Sequence, residues 1–128
     1  MEKEVIFNSD LHFEHTQWRR ELFFWEDELR SFKNRLNELV SRWTKKEVLA
    51  QLEHYQNQFT IHENSISELQ DHISQHETNI AEHTKNGEDV LNQELVKNHT
   101  EFRNRMEIER NLYNNLKKEF FRFLSEYM

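Results

Sequence analysis

The sequence predicts an all-α protein, an antiparallel up-down-up bundle of three long helices with heptad-like seams. Three observations point there. The 128 residues include no Pro and a single Gly, Gly87, so sandwiches, barrels and doubly wound sheets lack the residues their many turns require. Three segments carry unbroken apolar spacings of four and three, the mark of a helix whose buried stripe recurs every seven residues. Ten Phe and three Trp supply core material that the 32% of charged residues would otherwise deny the chain.

The elements follow in order. Residues 1–8 read as a tail whose Val5, Ile6 and Phe7 fold back on the bundle, and residues 9–128 as one helical domain. The first helix, about 9–43, starts where Asn8, Ser9 and Asp10 offer capping side chains. Its seam runs Leu11, His15, Trp18, Leu22, Trp25, Leu29, Phe32, Leu36, Leu39, Trp43. The second, about 45–85, opens on a capping box, with Thr44 and Glu47 positioned to satisfy each other's amides. Its seam runs Val48, Leu52, Tyr55, Phe59, His62, Ile66, Leu69, Ile73, His76, Ile80, His83. Asn86 and Gly87 stop it in a left-handed turn, and Glu88 and Asp89 sit in the first turn of a third helix, about 88–127. That seam runs Leu95, His99, Phe102, Met106, Glu109, Tyr113, Leu116, Phe120, Phe123, Tyr127, with Leu91, Ile108, Leu112 and Leu124 widening it. Connections this short make neighbours antiparallel. A four-helix bundle broken near Ser65 is the alternative, because Ser65 and Glu68 spell a second capping box, but the column Leu52, Phe59, Ile66, Ile73, Ile80 passes through without a change of register.

Composition excludes several function classes. A net charge of −7 and no Cys argue against a phosphate-backbone interface and rule out thiolate and Cys-ligated metal chemistry. The clusters around Arg103, Arg105 and Arg110 are interleaved with Glu101, Glu107 and Glu109 and read as a solvated face laced with ion pairs. No stretch approaches a membrane span or a secretion signal, which predicts a cytoplasmic protein with no membrane or nucleic-acid partner. No HExxH motif is present, and a loop-poor bundle has little concave surface, so no enzyme is expected.

The informative violations of the seams are histidines. With turns centred near Thr44 and Asn86, equal rise per residue sets His15 opposite His72, His12 near His76, and His99 beside Ser74. Five histidines thus converge on one end of the bundle. His72 and His76, one turn apart, share a helix face that Glu68 extends, and His12 and His15 form a similar pair. His15, His72, His76 and His99, with His12 and Glu68 as further candidates, are the predicted ligands of a divalent transition metal: zinc, nickel, copper or iron. Clustered histidines that titrate near pH 6 and loosen that end are the alternative. A separate buried contact is expected between His62 and Glu109 near Trp25, setting register.

The motifs His54-x-x-x-Gln58, His72-x-x-x-His76 and His99-x-x-x-x-Asn104 resemble the ligand spacing of hemerythrin-like proteins, which are metal-binding four-helix bundles. That resemblance covers roughly residues 54 to 104 and implies an iron-type metal. In this chain amides, Gln58 and Asn104, replace both bridging carboxylates of the family pattern.

Outside the seams, Phe13 and Phe24 project away from the first helix's buried stripe and Phe23 lies on its flank. Together they predict an apolar patch for self-association as a two-fold dimer. Two function classes follow. One is a non-catalytic bundle with a metal-binding His layer; the other is an interaction or scaffold bundle in which the histidines only set register and the Phe patch makes the contact.

Overall fold

The computed structural model describes residues 8–85 and 93–127. Three helices, α1 (Asn8–Arg42), α2 (Lys46–Lys85) and α3 (Gln93–Tyr127), form an all-α bundle. α2 is continuous through Ser65 over its 40 residues, so the four-helix alternative does not hold. Expectations about Val5, Ile6 and Phe7, about Asn86 and Gly87 with Glu88, Asp89 and Leu91, and about the side chain of His83 lie outside the described residues.

The first turn is tight. Trp43 N donates to the Leu39 carbonyl at 3.0 Å, and the Lys45 carbonyl accepts from Leu49 N at 3.0 Å. Lys45, not Thr44, therefore closes the first turn of α2, one residue later than the capping box implies. The far end of α1 is tied to α3 by the Trp43 indole, which donates from Nε1 to the Tyr127 carbonyl at 3.1 Å.

Seam meets seam along the bundle. Leu11 and Ile80 bury each other with Leu95 packed against them. Phe32 packs against Phe59 at 5.7 Å between ring centres and Tyr55 against Phe120 at 5.3 Å. α1 and α3 run parallel, with Trp18 on Phe102 at 5.0 Å and Trp43 on Tyr127 at 5.4 Å. Leu22, Leu29, Leu36, Leu39, Ile73, Met106 and Phe120 are fully or almost fully buried, and each such side chain withdrawn from water contributes roughly 1.5–3 kcal/mol before chain entropy is counted.

This interlocking corrects the helix register. Centring the turn near Thr44 sets His15 opposite His72, but that would seat half of each seam against polar flanks. The bundle instead slides about one turn, so His15 meets His76 at 5.1 Å between ring centres. Burial of a full apolar stripe outweighs the position of a three-residue turn.

The buried stripe of α3 is narrower than expected: Leu124 is partly buried against the core, but Ile108 and Leu112 are exposed, because the seam positions alone fill the contact with α1 and α2. Arg103 and Arg110 reach across to α1. Arg103 Nη2 donates to Glu14 Oε1 at 2.6 Å, Arg110 Nη2 to Glu21 Oε1 at 2.6 Å, and Lys117 Nζ to Glu28 Oε2 at 2.6 Å. The three bridges recur at heptad spacing on both helices, fastening the parallel pair. Being partly exposed, each adds little stability; their geometry sets register. At mid-bundle His62 Nδ1 and Glu109 Oε1 lie 2.6 Å apart, both buried. Nearby, the Tyr113 hydroxyl donates to Glu28 Oε1 at 2.7 Å, and burial together with that carboxylate raises the phenol's pKa. No helix among the described residues is long and apolar enough to cross a membrane.

Candidate metal centre

One layer of the seam is made entirely of histidine. His15 from α1, His76 from α2 and His99 from α3 are all buried, with ring centres separated by 5.1, 5.2 and 5.5 Å. The layer lies between Leu11 and Ile80 on one side and Trp18, Ile73 and Phe102 on the other. Trp18 stacks on His99 at 5.0 Å and 27°. Trp18 and the neighbouring imidazoles thus pack directly against the ring of His99.

Two carboxylates fix the tautomers of His15 and His99. His15 Nδ1 lies 2.7 Å from Glu77 Oε1, and His99 Nε2 lies 2.9 Å from Glu14 Oε1. An ionised carboxylate can only accept, so His15 carries its proton on Nδ1 and His99 on Nε2. Burial raises the pKa of Glu14, but hydrogen bonds from Arg103 and His99 outweigh it and hold this carboxyl below the usual range. Burial likewise raises that of Glu77, and the bonds from His15 and His12 prevail. Both are ionised at neutral pH.

The imidazoles themselves are neutral. Burial drives the pKa of His76 down to about 4, helped by the facing His15 and His99. Burial also lowers those of His15 and His99, against the pull of Glu77 and Glu14 respectively. Each ring keeps one buried nitrogen with no hydrogen-bond partner in the protein: His15 Nε2, His76 Nε2 and His99 Nδ1. A buried polar atom left unpaired costs about 1–3 kcal/mol, and here three belong to one layer. One potential ligand atom from each of the three residues lies within 4.8 Å of the others. A tetrahedral site with metal–nitrogen bonds of roughly 2.1 Å needs nitrogens roughly 3.4 Å apart, so the three rings would have to draw together to hold an ion. Neutral imidazoles, each with one free lone pair and two of them backed by carboxylates, are the donor set that zinc, copper, nickel or cobalt accept.

The other predicted site residues lie elsewhere. His72 is exposed, and its Nδ1 accepts from Arg105 Nη1 at 2.6 Å. Arg105 also holds Glu68 at 3.3 Å, so His72 and Glu68 form a surface cluster between α2 and α3. His12, with a side chain 70% exposed, approaches Glu77 at 3.3 Å from the rim and touches the triad only through that carboxylate. His54 is exposed against the Tyr55 ring, far along α2 from His76. Phe13, Phe23 and Phe24 are exposed, with the Lys117 ammonium 5.7 Å from the centre of the Phe24 ring.

Sequence reasoning overlooked Glu77. Pairing seam with seam, in place of measuring from the turn, brings His15 level with His76 and so sets Glu77 beside His15. Comparison with protein families, with curated proteins and with solved structures finds no match for this chain.

Proposed function

We propose that the protein is a transition-metal-binding helical bundle whose ligands are His15, His76 and His99. The observation that carries this reading is the set of three buried, unpartnered imidazole nitrogens in one layer. The rings are neutral at neutral pH, so protons do not compete with a divalent ion that takes one nitrogen from each. The absence of carboxylate or thiolate among the ligand candidates favours zinc, cobalt, nickel or copper over magnesium, calcium or manganese.

The test is elemental analysis of the untagged protein followed by melting with and without a chelator. A divalent ion at a hundred times its dissociation constant stabilises the fold by about 2.7 kcal/mol. The expected result is one equivalent of metal and a melting temperature that falls on the order of 10 °C when it is stripped. Melting indifferent to zinc, cobalt, nickel and copper would overturn the reading and leave the layer to buried water.

Glu77 acts as a positioning residue in this reading. Glu77→Gln keeps an oxygen that can accept from His15 Nδ1 but removes the charge that makes the ring a better donor. Calorimetric titration of the variant is expected to show metal binding roughly 10–100-fold weaker, with the metal-free protein still folded at the temperature of the titration. Equal affinity in both proteins would exclude the role.

A further inference from the structure

We infer that the metal-loaded triad takes a small monoanion from solvent as its fourth ligand, admitted through the groove between α2 and α3. This rests on the metal-binding reading above.

Among the described residues the protein offers three ligands and no fourth. Glu14 and Glu77, the carboxylates bonded to the layer, already hold the outer nitrogens of His99 and His15. The adjoining layers consist of Leu11 and Ile80 on one side and Trp18, Ile73 and Phe102 on the other, and none of these can coordinate. A divalent ion prefers at least four donors, so the remaining position falls to a ligand from outside.

Charge selects its class. Three neutral imidazoles leave the ion's double positive charge intact. Glu77 offsets one unit, while the charge of Glu14 is already balanced by Arg103, which binds it through both Nε and Nη2. One positive charge remains in a layer walled by apolar side chains, where an uncompensated ion is costly. A monoanion such as hydroxide, a halide or azide cancels it.

The groove brings solvent up to the edge of the layer, although the three unpartnered nitrogens themselves are buried. His76 is at once a member of the triad and part of the wall of a cavity of about 310 Å³ open on the α2/α3 face. Phe102, Asn79, Asn98, Glu101 and Arg105 also line it. The two amides and the guanidinium are hydrogen-bond donors suited to an anion. Glu101 opposes dianions, and Arg105 retains donors beyond those given to His72 and Glu68.

The test uses the full chain loaded with cobalt(II), whose visible absorption reports its coordination, titrated with sodium azide. Wild type is expected to show a saturable change in the cobalt bands. In Arg105→Gln, an exposed position whose loss leaves the core intact, azide should bind on the order of tenfold more weakly, as when one hydrogen bond from a charged donor is lost, with cobalt affinity unchanged. Cobalt bands that form but ignore azide overturn the external ligand while the metal-binding reading stands. Equal azide affinity and equal rates of azide binding in both proteins overturn the groove as the place where the anion enters and sits. Failure to bind cobalt at all overturns both readings together.

Discussion

Replacing His15, His76 and His99 together by Leu is expected to make the metal-free protein more stable and to abolish every effect of metal on its melting. Leu is close to His in volume, so the layer refills without a large cavity. The three buried nitrogens that lack a protein partner disappear, each worth about 1–3 kcal/mol. The hydrogen bonds to Glu77 and Glu14 are lost too, but these carboxylates are 23% and 29% exposed and return to water. A net gain of about 3 kcal/mol corresponds to a rise on the order of 10 °C in melting temperature for a chain of this size. Thermal melting of both proteins in chelator measures it. A variant that melts below the wild type would mean that the histidines stabilise the bundle by their own bonds, and the selective reason for a metal would vanish. The same contrast separates the two function classes, since a register-setting layer need not be destabilising.

The second large effect is acid sensitivity of the metal-free protein. His76 has a pKa of about 4 in the folded chain and about 6.5 when unfolded. At pH above 6.5 the ring is neutral in both states and contributes no difference. As pH falls from 6.5 towards 4 the unfolded chain takes up a proton that the folded chain refuses, so stability is lost across that window. His76 alone accounts for about 3 kcal/mol, at 1.36 kcal/mol per pKa unit, and the lowered pKa values of His15 and His99 act in the same direction. The charged groups around the layer are Glu14 and Arg19 on α1, Glu77 on α2 and Arg103 on α3, with His12 at the rim. Glu14 and Glu77, whose folded pKa values are depressed, contribute stability above about pH 4.5 that fades as pH falls below it, a later and separate step. Denaturant unfolding of metal-free protein at pH 7 and pH 4.5 is expected to show most of the histidine loss. The triple Leu variant should lose little over the same interval, and excess zinc should move the wild-type decline to lower pH. A wild-type stability unchanged between the two pH values would contradict the burial of neutral imidazoles.

The architecture was legible because it rests on local periodicity. Spacings of four and three along each helix, the absence of Pro and the break at Trp43 to Lys45 define α1 and α2 to within one or two residues. The membership of His15, His76 and His99 in the seams follows from the same count, as does that of His62 and Glu109. The sequence by itself thus determined which faces are buried and which polar residues break them. Which of those residues meet is a different matter. It depends on how one helix slides along the next, and the slide is settled by interlocking of whole apolar stripes, not by the position of the turn. One turn of displacement exchanged His72 for His76 as the partner of His15 and left His72 on the surface with Arg105. It also brought Glu77 to His15, and the parallel pairing of α1 with α3 brought Glu14 to His99. These carboxylates lie outside the seams, where no period marks them. Only the tertiary structure decided the triad and the tautomers of His15 and His99, because these depend on distances between helices, and those are fixed by the packing of the whole bundle.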